Sequence, residues 1–146
     1  MKRLLPVVVL FLLAACSGSG QSAWVETYGR NFPEPLSGRA ALYIVRDTAP
    51  ESSPPINLTI GRRPMGGLTS LTFMRFDLQP RLYDVRAYGA SASDEQIITV
   101  APGQTRFLLV APAGNSTEIL EISQQDGRRL VRKSQSLPPM ESIPEY

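Results

Sequence analysis

Prolines, glycines and small polar residues interrupt the chain roughly every 8–12 positions from Gly38 onward, which limits every regular element to a short one. No run between the interruptions is a long amphipathic helix. About seven short strand candidates fit between the breaks, the pattern of a two-sheet antiparallel sandwich, with a small closed barrel as the alternative.

The strands differ in how many faces they bury. Arg39 to Arg46 (RAALYIVR) is apolar on both faces and reads as a central strand. Ile56 to Ile60 alternates apolar and polar, so one face is wet. Gly61 to Pro64 turns the chain toward a short edge strand at Met65 to Leu68. In Leu71 to Leu78, Met74, Phe76 and Leu78 face the core; after a turn at Pro80, Tyr83, Val85 and Ala87 do so in Leu82 to Tyr88. Gln96 to Val100 and Thr105 to Val110 flank Ala101-Pro102-Gly103-Gln104. Pro at the second and Gly at the third position suit a type II turn, so a hairpin is expected there. Thr117 to Ser123 is the last strand, followed by a short helical turn that Gly127 should break. From Ser134 the proline-rich chain should be loose.

The first residues carry a different signal. Lys2 and Arg3 precede a ten-residue apolar run, Leu4 to Leu13, and small residues follow it. That run is half the roughly 20 residues a spanning helix needs, and its layout is that of an export leader. Leu13-Ala14-Ala15-Cys16 resembles the lipobox of bacterial lipoproteins, and Cys16 is the chain's single cysteine. The resemblance implies cleavage before Cys16, a diacylglycerol on its thiol and an acyl chain on the new amine. It implies no other cofactor. Ser17, where an inner-membrane protein of this kind carries Asp, implies the outer membrane and its periplasmic side. The expected division is a signal peptide over 1–15, a lipidated tether and N-terminal arm over 16–37, the β-sandwich over 38–133 and a flexible tail over 134–146. Trp24 and Phe32 in the arm are expected to pack on the domain.

Three pieces carry a second resemblance: Gly38 to Arg46, Leu78 to Ala87, and Val100 to Thr105. Together they resemble small bacterial lipoproteins with a sandwich domain of unknown function, similar in turn to PEGA-type and transthyretin-like periplasmic modules; the expected fold is a single antiparallel β-sandwich, immunoglobulin-like (Ig-like) or transthyretin-like. In the middle piece Leu78, Pro80, Tyr83, Val85 and Ala87 match the family pattern, while Arg81 stands where glycine is usual. That turn should therefore keep φ negative at Arg81.

Chemistry is sparse. With no histidine in the chain, the Ser-His-Asp arrangement and most zinc sites are excluded. Losing Lys2 and Arg3 with the leader brings the 15 basic residues level with the 13 acidic ones, which argues against nucleic acid. No catalytic residue and no metal site is assigned. Asp94 and Glu95 adjoin in a polar loop, and Asp77 and Asp84 flank the Pro80 turn. Arg62-Arg63 at a hairpin tip and Arg128-Arg129 near the C-terminus are candidate contacts for an anionic partner, or simply charges guarding an edge.

The expected function is a non-catalytic interaction or structural module, held to membrane lipid through Cys16 and docking an envelope protein. The alternative is a cell-wall or carbohydrate binder presenting Tyr88 or Trp24, or a hydrolase using paired carboxylates. Cys16→Ser should abolish incorporation of a palmitate analogue and release the protein from the membrane fraction, as read by labelling and fractionation of intact cells.

Overall fold

The computed structural model describes residues 29–89 and 92–138. Cys16, Trp24 and residues 139–146 lie outside that range, so the leader, the lipid attachment and the end of the tail are not described. The described residues form a two-sheet β-sandwich. One sheet has five strands in the order β8-β7-β1-β4-β9, the other four in the order β3-β2-β5-β6. The strands are β1 (Ala40–Arg46), β2 (Ile56–Ile60), β3 (Arg63–Leu68), β4 (Thr72–Leu78), β5 (Leu82–Tyr88), β6 (Asp94–Thr99), β7 (Thr105–Ala113), β8 (Ser116–Ile122) and β9 (Gln135–Ser136); one helix, α1 (Gln124–Lys133), precedes β9.

β1 is central in the larger sheet and buried along its whole length, as its two-sided apolar sequence requires. Ala40, Leu42 and Ile44 face the smaller sheet and join Leu58, Met74, Phe76, Val85 and Leu108 in the main core. Ala41, Tyr43 and Val45 face the other way and meet Phe73, Phe107, Leu130 and Val131 in a second cluster. The Tyr43 and Phe107 rings stack at 4.9 Å between centroids. In β5 the inward row is Tyr83, Val85 and Ala87, as the alternation predicts. Tyr83 donates its hydroxyl to the Gln79 carbonyl at 3.0 Å, and Arg81, whose φ is not positive, lays its guanidinium 4.8 Å from the Tyr83 ring centre.

The expected hairpin at Pro102-Gly103 does not form. The turn itself is present: Gln104 donates to the Ala101 carbonyl, and Gly103 has φ +73°. It carries the chain from one sheet to the other. β6 pairs with β5, while β7 runs parallel to β1. The turn is pinned to the start of β1 by Gly103 N–H to Arg39 O and by Ala41 N–H to Gln104 O. Those bonds occupy backbone groups that a hairpin would direct elsewhere. The hairpin of this region is β7–β8, closed by Gly114-Asn115 with Gly114 at φ +59°.

Gly127 does not break the helix either; α1 continues through it to Lys133. Ser123 caps the N-terminus, accepting from Asp126 N–H while its hydroxyl donates to the Asp126 carboxylate. Arg132 and Lys133 in the last turn complement the helix dipole. Glycine lets the helix lie against the sheet, since a Cβ at 127 would sit 2.2 Å from Phe107 Cγ. Leu130 and Val131 fall on the same buried face.

After the helix, Gln135–Ser136 adds a parallel strand to β4, with Leu137 N–H donating to the Phe73 carbonyl at 2.8 Å. The start of the stretch expected to be loose is therefore held in the sheet. Residues 29–37 cover the same outer face as α1. Gly29 accepts from the Tyr43 hydroxyl, Phe32 joins the second cluster, and Arg30 Nε donates to the Ser134 carbonyl.

Alanine at 127 gains about 1 kcal/mol in helix propensity but overpacks Phe107, at a cost of roughly 1–3 kcal/mol. Gly127→Ala should therefore lower stability overall, read as a reduced urea midpoint with unchanged slope.

Candidate functional site

Among the described residues, one sheet has a covered outer face. α1 and residues 29–37 roof the five-stranded sheet, and nothing among the described residues roofs the four-stranded one. That bare face is built by period-2 geometry. The inward rows of β2, β5 and β6 fill the core, so their alternate residues must point out. Thr59 pairs with Arg86, which pairs in turn with Glu95, giving a polar row across the sheet. Beside it, Leu82 (60 % exposed) and Ile97 (61 %) are the most exposed large apolar residues described.

A groove of about 330 Å³ opens on this face, lined by Thr59, Arg62, Arg86, Tyr88 and Ser93. Arg62 enters it from the two-residue tip between β2 and β3. Gly61 and Arg62 both have positive φ, +58° and +68°. A two-residue tip with that geometry normally takes Asn-Gly or Gly-Gly, so Arg62 holds a strained position. Arg86 Nε bonds Asp84 at 3.2 Å and Arg86 Nη2 pairs with Glu95 at 3.0 Å. The hydrogen bond it donates to Asp84, reinforced by the charges of Asp84 and Glu95, raises the Arg86 pKa further, so it stays cationic.

Among the sequence candidates, Arg62 lies in this groove. Arg63 opens the edge strand β3, followed there by Pro64 and by a bulge opposite Leu58/Thr59. Proline and a bulge both discourage a further strand from adding to an edge. Arg128 and Arg129 belong to α1, on the far layer, and do not join Arg62. Arg128 places its guanidinium 5.0 Å from the Phe32 ring centre, and Arg129 pairs with Asp126 at 2.8 Å.

The candidate carboxylates are engaged as well. Asp94 accepts from the Glu95 and Ile119 amides, the second at 2.8 Å, tying β6 to β8 across the sheets. Asp77 is bonded by Arg75 at 2.9 Å. Arg106 spans the same side as Asp94, bonding Glu121 and the Thr99 carbonyl. Among the described residues no three His, Cys, Asp or Glu side chains gather as a metal site, and no helix is long and apolar enough to cross a membrane.

Lys133 Nζ bonds Asp47 Oδ1 at 2.7 Å, joining the end of α1 to the loop after β1. That hydrogen bond is the main reason the Asp47 pKa lies below its ordinary value; partial burial opposes it. The stabilisation is therefore complete above the ordinary carboxylate range and is lost as pH falls through the lowered Asp47 pKa. Both side chains are close to half exposed, so the pair is worth less than about 1 kcal/mol. Lys133→Met should lower the thermal midpoint slightly at pH 7, and the difference from the parent should shrink as pH falls through the lowered Asp47 pKa.

No protein-family model matches this chain, and no curated protein matches it in sequence.

Proposed function

We propose that the protein is a non-catalytic docking module of the bacterial envelope, tethered to lipid through Cys16 and presenting the bare face of its four-stranded sheet to a protein partner. The observation that carries this is the asymmetry of the two outer faces. One is roofed by the chain's own helix and arm, while the other exposes Leu82, Ile97 and Tyr88 beside a strained arginine. Aromatic and arginine side chains next to exposed aliphatic ones are the composition of protein interfaces. Docking by strand addition is disfavoured, since Pro64 and the bulge guard β3 while Asp94 and Arg106 close the β6–β8 side. The tether and the outer-membrane location rest on the leader, the lipobox-like stretch and Ser17.

The alternative, a cell-wall sugar as ligand, draws on Tyr88 and the polar groove. The hydrolase version has less support, because Asp84 and Glu95 both serve as counter-charges to Arg86.

A photo-crosslinker at Leu82 in intact cells should trap one protein at constant stoichiometry, and Ile97→Asp should abolish that adduct without changing the thermal midpoint. Recovery of the protein alone from repeated trials would remove the docking reading. Retention on purified peptidoglycan that is lost in Tyr88→Ala would replace it with the sugar-binding one.

A further inference from the structure

The last residue of β1 is a charge in an apolar position. Leu42, Ile44 and Arg46 continue one inward row, so Arg46 points between the sheets at one end of the sandwich. It is 2 % exposed. Its Nη1 donates to two carbonyls, Pro54 and Leu68, both at 2.8 Å. Its Nε is buried with no hydrogen-bond partner, and Nη2 has none among the described residues. No carboxylate among the described residues answers this charge. The adjoining Asp47 is bonded to Lys133 and Thr48 instead. Burial of the guanidinium lowers the Arg46 pKa, but arginine starts so high that it stays charged at neutral pH.

Arg46 lines a cleft of about 210 Å³, bounded by Ser53, Gly89, Gly114, Ser116 and Thr117. Among the described residues it is the only charged one in that lining. Gly89 and Gly114 leave two walls without side chains. Water occupies about 30 Å³ per molecule in the liquid, so the cleft has room for a ligand of several heavy atoms.

We propose that this cleft is a binding site for a compact monocarboxylate, with Arg46 as the recognition group. Nη1 is already spent on backbone carbonyls. On the opposite edge of the guanidinium Nε is buried, and Nη2, unbonded among the described residues and not fully buried, is the donor left for a carboxylate oxygen. A carboxylate at Nη2 gives that donor a charge-assisted hydrogen bond and supplies the counter-charge the buried cation lacks among the described residues. A single buried cation matches a single negative charge, which favours a carboxylate over a phosphate dianion. The site is separate from the bare sheet face, so either proposal stands if the other fails.

The test uses full-length protein labelled with 15N-arginine and purified in detergent, titrated with sodium propionate at constant ionic strength. The Arg46 Nε–H resonance should move saturably, with a dissociation constant on the order of millimolar. Propionamide, the neutral isostere, should leave it in place. Arg46→Lys keeps the charge and loses the Nη2 donor, and should weaken binding roughly tenfold or more. Because that variant also loses a carbonyl clamp, Ser53→Phe serves as a second: it fills the cleft without touching Arg46 and should weaken propionate at an unchanged thermal midpoint. N-acetylalanine and glucuronate separate the sources, since a larger shift with the first supports a chain-terminal carboxylate and with the second a sugar acid. An Arg46 resonance that ignores propionate, or answers propionamide equally, would overturn the proposal.

Discussion

Everything in this sandwich depends on β1 having no wet face. A strand buried on both sides needs an apolar layer on each, and a second sheet supplies only one. Leu42 and Ile44 meet the smaller sheet, while Ala41, Tyr43 and Val45 require a separate cover. The helix after β8 and residues 29–37 are that cover, and they converge on the ring of Tyr43, Phe73 and Phe107. Left open, that aromatic patch would be the kind of surface that drives association.

The cover explains features that look unrelated in the sequence. Gly127 lies against Phe107 with no room for a Cβ. Arg128 and Arg132 lie over Phe32, so two charges of an apparent basic cluster act as amphipathic packing. Ser134 returns its hydroxyl to the Leu130 carbonyl, and the next residues enter the sheet as β9. The four-stranded sheet has no such demand. Its outward residues are polar or isolated apolar ones, and no described residues cover them.

The ends and sides of the sandwich are held by polar groups. Asp94 satisfies the Ile119 amide of the facing sheet, and Arg106 joins β6, β7 and β8. At the mouth of the core, Arg46 takes two carbonyls from loop and strand. A buried cation without a counter-charge is costly to keep. That cost is what sets Arg46 apart from the many arginines whose partners lie beside them.

The sequence by itself determined the local features. Alternation placed Tyr83, Val85 and Ala87 inside, two-sided hydrophobicity marked β1 as central, and Pro102-Gly103 marked a turn. The lipobox-like stretch around Cys16 is likewise legible only as sequence. Pairing was decided by the tertiary structure. Period-2 patterning says which face a strand buries and is silent about its neighbour, so the Pro102-Gly103 turn looked like a hairpin until β1 claimed β7. Gly127 shows the same limit, because helix propensity counts a glycine as a loss unless a ring lies where its Cβ would be. Arg46 shows it most sharply: an arginine at the end of an apolar run reads as a strand exit into water, and only the loop and strand folded over it bury it.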